Sequence, residues 1–399
     1  DVFNLLLIIL LFIVTLAEIF TPNLVFLIAP GFIDDDIKFN LAVEFTRITF
    51  PFLLFVSLSS FFSGVLNSNN KFAAAAAAPI ILNIVLIISI FISYFQNLDV
   101  AKQLSFGVTV AGIIQLLFLI YFTYEFYKPS IKFNYKTTKK VKFFFRKLIP
   151  SILSSGVTQI NILVGTIIAS FQTGAVSYLY YADRIYQINL AIAGIAVGTV
   201  SLPVLSKAFK TKNLSKVSKI QNKSIELSLL FSIPASIGLI IASEEIINGL
   251  FGYGSFNSED VLKTSNALMF FGYGVVAFAI VKIFANFFFA RNNTKTPFYI
   301  SSLIVLLNIS ISISFFDRIG FIIIPIATSI STWVGVFVYL YYLNKSRFLL
   351  LQKNLFYNFL KIIISSIFMA LVLVFAIKKY ASYLDYNYIY KSIYLLIVV

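Results

Sequence analysis

The chain has 399 residues, of which 59% are hydrophobic and only 12% charged. A soluble protein of that length needs far more polar surface, so a soluble globular fold is excluded. Cysteine and histidine are both absent, which removes disulfides, thiolate nucleophiles, Cys-ligated metals, Ser-His-Asp triads and HExxH sites.

Apolar runs long enough to cross a hydrocarbon core about 30 Å thick recur along the whole chain. In order they cover roughly 2–28, 45–66, 73–94, 104–124, 148–171, 175–205, 225–242, 264–289, 298–315, 319–343, 358–377 and 387–399. All twelve are read as helices, because unbroken apolar runs of this length do not suit the alternating strands of a barrel. The expected fold class is all-α, a polytopic membrane helix bundle. The first run opens at Asp1 without a Met and the last closes on IYLLIVV, so a chain lacking residues at both ends is expected.

Thirty-one Lys and Arg against sixteen Asp and Glu give a formal charge of +15. Its distribution matters more than its sum. Alternate connections hold Lys71; Lys128 to Lys147; Lys207 to Lys223; Arg291 and Lys295; and Lys345 to Lys361, twenty-one basic residues in all. The other set holds six, with the acidic clusters Asp34-Asp35-Asp36, Glu244-Glu245 and Glu259-Asp260. The positive-inside rule puts the first set in the cytoplasm, and the alternation holds across all twelve segments. The surplus is thus a topology signal with some attraction to membrane lipids bearing anionic headgroups. No nucleic-acid partner is expected.

Two features suggest two lobes. The basic connection 128–147 is the longest polar link. LNSNNKFAAAAAAPIILNI (66–84) is also similar to FARNNTKTPFYISSLIVLLNI (289–309), six helices later. Internal repeats of this kind build many transporters, with the cargo site between the halves.

The sixth segment contains YLYYADRIYQINL (178–190). Gly174 marks its extracytoplasmic end, so Arg184 lies ten residues in, about 15 Å at helical rise. A lone Arg facing lipid there costs at least about 2.5–3.5 kcal/mol, so a partner or a wet cavity is required. Asp183 and Arg184 diverge by about 100° around a helix, whereas Tyr180, Arg184 and Gln187 share a face at i, i+4 and i+7. Arg184 is therefore read first as a cargo contact, with a structural Asp183–Arg184 pair as the other reading; Asp183 is read as an orienting group. GIAVG, with Gly194 and Gly198, has the GxxxG spacing of close helix packing, and Pro203 is a candidate kink or stop. Lys282 is the second intramembrane cation, open to a cavity role or to snorkelling. Arg47 reads as an interface anchor, and Asn161 as either a cavity or an interhelix polar group. A cationic interior without a carboxylate cluster or phosphate loop suits an anionic cargo.

GVTQINILVGTIIASFQTGAVSYLYYADRIYQINLAIAGIAVGTVSLPVLSKAF (156–209) resembles the signature region of the MurJ/MviN family of bacterial lipid II flippases. APGF (29–32), TRITFPFLLFVSL (46–58), LNSNNKFAAAAAAPIILN (66–83) and FFARNNTKTP (288–297) resemble the same family. The resemblance implies the multidrug/oligosaccharidyl-lipid/polysaccharide exporter fold, two six-helix lobes followed by two helices forming a lipid-tail groove. On that map 1–128 is the remainder of the N-lobe, 129–147 a cytoplasmic linker, 148–345 the C-lobe and 346–399 the last helix pair, with the first two family helices missing. The implied function is flipping of the undecaprenyl-pyrophosphate-linked peptidoglycan precursor across the inner membrane. The resemblance implies Arg184 as a cargo contact and matches the Lys282 position. Tyr180, Gln187 and Asn161 join them as candidate contacts from the reading of the residues above, and no catalytic residue, cofactor or metal is expected. Other cell-wall synthesis proteins are conceivable partners. In some relatives a carboxylate before Thr-x-x-Ala-Ser belongs to a cation site; Gly165 stands there, against sodium coupling at that place. The alternatives are another exporter of the superfamily, a scaffold for cell-wall enzymes, or a prenyl-phosphate transferase, which would need carboxylates for magnesium.

Overall fold

The computed structural model describes residues 2–129, 156, 159–211 and 213–399. The described residues are helical with short turns and contain no strand. The chain divides into two units, Asp1–Leu153 and Ser154–Val399.

The first unit holds α1 (Val2–Ile19), α2 (Thr21–Ile28), α3 (Asp36–Thr49), α4 (Phe52–Ser68), α5 (Phe72–Gln96) and α6 (Val100–Thr123). Proline sets its breaks: Pro22 opens α2, and Pro51 stands at the start of α4, where a missing N–H costs little. Asp35 and Asp99 cap α3 and α6, accepting from Lys38 N at 3.1 Å and Lys102 N at 2.7 Å. The core is apolar, with Phe3, Leu10, Leu58, Phe62, Leu66 and Leu119 all buried.

The second unit holds α7 (Gln159–Ser170), α8 (Ala175–Leu190), a π-helical stretch Ala191–Ala196 and α9 (Val197–Lys210). Then follow α10 (Leu214–Ile241), α11 (Ser243–Phe251), α12 (Ser258–Gly272), α13 (Val275–Phe289), α14 (Lys295–Ile319) and α15 (Ile323–Lys345). α16 (Lys353–Lys379), the short α17 (Ala381–Leu384) and α18 (Lys391–Val398) close the chain. One buried cluster includes Ala175, Ala182, Ile247, Leu268 and Val275. A second, toward the other ends of the helices, includes Leu205, Ile283, Phe287 and Tyr339.

Every predicted apolar segment carries helix, the fifth being described from residue 159. Eight helical stretches are long and apolar enough to span a membrane among the described residues, or nine with the bent α12–α13 pair counted as one; Lys295–Lys345 alone contains two predicted segments. Large apolar side chains point outward, Phe368 being 69% and Leu396 84% exposed, as a hydrocarbon solvent permits. The chain is a multi-pass membrane protein. Several sequence-read loops prove helical at their edges. Lys216, Lys219 and Lys223 lie within α10, whose start is capped by Asn213 accepting from Lys216 N at 2.9 Å. The acidic connection after residue 34 runs directly into α3.

Candidate functional site

α8 has one face pinned and one face free. Gly174 takes φ +76°, a left-handed turn in which a Cβ would strike the Tyr178 ring at 2.7 Å. Tyr178 donates its hydroxyl to Asp260 Oδ1 at 2.7 Å. Tyr181 packs on Phe251 and Phe256, with centroids at 4.8 and 5.4 Å. Tyr186 stacks on Phe271 at 5.0 Å and meets Phe278 at 5.1 Å. Ala175 and Ala182 complete this buried face. The opposite face exposes Ser177, Tyr180, Arg184, Gln187 and Ile188.

On that free face the Arg184 guanidinium lies over the Tyr180 ring, 4.5 Å from its centroid. Gln187 turns away from Arg184 and donates to the Asp183 carboxylate. Among the described residues the ion pairs are Lys102–Glu44, Lys223–Glu226 and Lys263–Glu259, so Arg184 and Asp183 form none. The three polar residues grouped by helical spacing thus behave differently from one another. Tyr180 attends the cation, Gln187 attends Asp183, and Arg184 acts on Asp183 only electrostatically, without a close ion pair.

Below it, Gly194 and Gly198 bring the helix against α13. A Cβ at Gly194 would lie 3.2 Å from Ala279 Cα and 3.6 Å from Lys282 Cγ, and one at Gly198 would lie 2.7 Å from Asn286 Nδ2. Asn286 donates to Gly198 O at 3.0 Å. The stem of Lys282 therefore rests beside Gly194 while the residue as a whole is exposed. Pro203 sits inside α9 without ending it.

Asn161 belongs to an interhelix network. Asn308 Nδ2 donates to Asn161 Oδ1 at 2.9 Å and to Thr328 Oγ1 at 3.1 Å, and Ser312 donates to Asn308 Oδ1 at 3.1 Å. The nearest atom to a Cβ at Gly165 is Ile324 Cγ2, at 3.7 Å. These neutral groups spend polar atoms on each other and include no carboxylate. Arg47 is exposed in the last turn of α3 and acts electrostatically on Glu18 of α1, whose Oε1 is buried without a hydrogen bond.

Two cations that the sequence did not single out are structural. Arg291 donates to Phe287 O at 2.7 Å and to Phe348 O at 2.8 Å, between the Phe209 and Phe348 rings at 3.9 and 4.0 Å. Burial pushes its guanidinium down to about 10, still protonated at neutral pH. Lys391 is 1% exposed; its ammonium donates to Asn248 Oδ1, Gly252 O and Tyr386 O at 3.0, 2.5 and 2.6 Å, flanked by the Tyr253 and Tyr386 rings at 4.4 Å. Between α10 and α16 opens a wholly apolar cleft of about 260 Å³, lined by Ile237, Ile240, Ile241, Ile367, Ala370 and Leu371.

The model of the lipid II flippase MurJ family matches residues 1–395. A Rickettsia prowazekii protein named "Probable lipid II flippase MurJ" is 37% identical over 402 aligned positions, covering 100% of this chain and 77% of that protein. A Rhizobium tropici protein of the same name is 38% identical, over 86% of this chain and 65% of its own length. Among solved structures, a lipid II flippase MurJ in an inward closed conformation superimposes with a TM-score of 0.81 at 29% identity, covering 99% of this chain and 80% of that one. An inward-facing multidrug transporter of the MATE family reaches 0.73 at 15% identity, over 87% and 81%, a likeness of fold alone. With its whole length matched in sequence and in fold, the chain belongs to the lipid II flippase MurJ family.

Proposed function

We propose that this chain flips lipid II, the undecaprenyl-pyrophosphate-linked peptidoglycan precursor, from the inner to the outer leaflet of the bacterial cytoplasmic membrane. The cycle is one of alternating access, and no covalent bond is made or broken. The observation that carries the proposal is Arg184: a cation about 15 Å into the membrane by helical rise, exposed, and in no close ion pair among the described residues.

A guanidinium offers two parallel N–H bonds to phosphate oxygens, which suits a pyrophosphate better than a point charge does. Tyr180 holds the side chain from below the ring plane. Gln187 donates to the Asp183 carboxylate, which still acts electrostatically on the adjacent Arg184. Lys282 is the second cation toward the cytoplasmic side, its stem laid along Gly194. Asn161, engaged by Asn308, is assigned to helix packing. The apolar cleft between α10 and α16 suits the prenyl chain. The other exporters of the fold are matched only at 15% identity, which supports no drug substrate.

The test is binding of undecaprenyl pyrophosphate by the purified chain in nanodiscs, read as the ligand-induced rise in melting temperature. The unmodified chain is expected to show a saturable rise that Arg184→Ala abolishes and Arg184→Lys reduces. An equal rise in Arg184→Ala would remove this residue from the site.

A further inference from the structure

In the second unit, three neighbouring helical runs each carry an irregularity. Between α8 and α9, residues Ala191–Ala196 wind as a π-helix, a form that is rare and frequent at functional sites. Beside it, α12 and α13 meet at a bend of 42°. α10, which packs on both, carries Pro234 in its interior, where the ring removes a backbone hydrogen bond.

Side-chain contacts tie these breaks together. Ser236 donates to Gly272 O at 2.7 Å. Tyr186 touches Phe271 before the α12–α13 bend and Phe278 after it. The carbonyls freed at the bend are satisfied: Ser329 donates to Phe270 O at 2.7 Å and Trp333 to Tyr273 O at 2.9 Å. The bend is therefore a built feature with its polar groups provided for. On α10, the fully buried Ser228 and Ser232 hydroxyls make no hydrogen bond, which leaves donors in reserve for a rearranged backbone.

Attachments above and below the π-helical stretch differ. Above it, α8 is fastened to α12 by Tyr178 and Asp260, and Asp260 is itself fixed by a reciprocal capping box with Asn257. Below it, α9 is fastened to α13 by Gly198 and Asn286. The geometry points to a hinge: α8 swings with α12 about the π-helical stretch, and Tyr178 with Asp260 are positioning residues that set where Arg184 points. What Arg184 meets rests on the function proposed above. Arg184 stands seven residues from Ala191, about 10 Å at helical rise. A tilt of about 10° therefore moves it by about 2 Å, enough to make or break a hydrogen bond to a phosphate oxygen.

The chain contains no cysteine, so spin-label pairs can be introduced cleanly. Ser177→Cys on α8 and Lys207→Cys on α9 are both exposed and report across the hinge by electron–electron double resonance in vesicles. Adding undecaprenyl pyrophosphate is expected to shift the distance distribution or to raise a second population. Tyr178→Phe keeps the ring against Phe321 at 5.7 Å but loses the hydroxyl bond. It is expected to broaden the lipid-free distribution, to weaken lipid binding by up to about fivefold, the worth of one such bond, and to lower the melting temperature of the lipid-free protein by a few degrees. One narrow distribution, identical in both proteins with and without lipid, would overturn the hinge even where Arg184→Ala abolishes binding. Absence of binding by the parent chain would instead overturn the substrate, while the lipid-free broadening in Tyr178→Phe still decides the hinge.

Discussion

Arg184 carries its charge into an apolar span with a tyrosine ring as its described neighbour. A cation–π contact is worth about 0.5–2 kcal/mol, less than the roughly 2.5–3.5 kcal/mol that an arginine costs at that depth. Asp183 supplies part of the balance, and the rest has to come from water or an anion. Arg291 and Lys391 are the contrast, each held by carbonyl acceptors and two rings. Arg291→Lys loses the fork that spans Phe287 O and Phe348 O, and is expected to lower the melting temperature by several degrees. Arg184→Lys is expected to leave it within about one degree, since no fork is broken. Scanning calorimetry of the two variants checks this; an equal fall in both would make Arg184 structural. Arg184 was legible in the sequence because a charge inside an apolar run advertises its cost. Asp260 and Glu18 were not: one meets Tyr178 across 82 positions, and the other reads as an interfacial acid until its buried oxygen is seen.

At the scale of the helix, the two glycines of GIAVG set how closely α9 and α13 approach. Gly198→Ala puts a methyl 2.7 Å from Asn286 Nδ2 and is expected to destabilise the protein, while Asn286→Ala in the same chain relieves the clash. A double-mutant cycle should therefore return a coupling of roughly 1 kcal/mol; strict additivity would mean that the helices do not meet there. The spacing of the glycines was readable, because small residues four apart in an apolar helix have a packing meaning. The π-helical stretch was not readable, since AIAGIA is an ordinary apolar sequence and its winding depends on neighbours far along the chain. Prolines were legible only in part. The apolar runs 2–28 and 45–66 were read straight through Pro22 and Pro51, where the structure starts new helices, and Pro203, read as a kink or stop, is absorbed within α9.

For the molecule as a whole, charge alternation between connections predicts which ends face the cytoplasm. In the cysteine-free chain, Lys207→Cys is expected to react with a membrane-impermeant maleimide only from the cytoplasmic side, and Ser255→Cys only from the outside. Labelling of both from one side would contradict the topology. The helical nature and the order of the apolar segments were legible, being written in local composition. The fastenings of the last helices were not. Gln221 and Asn222 of α10 reach Phe348 O and Leu350 O at 2.8 and 2.6 Å, and Asn248 reaches Leu384 O at 2.7 Å, all across more than a hundred positions.

Whether a mid-membrane guanidinium moves a pyrophosphate-linked lipid is tested most directly by translocation itself. Cells depleted of their own flippase, carrying the full-length gene with or without Arg184→Ala at equal abundance, are assayed for lipid II exposed on the outer leaflet. Restored exposure with the unmodified gene and loss of at least about tenfold with Arg184→Ala is the predicted result, an anion contact of about 1.4 kcal/mol or more. Equal exposure in both would contradict it.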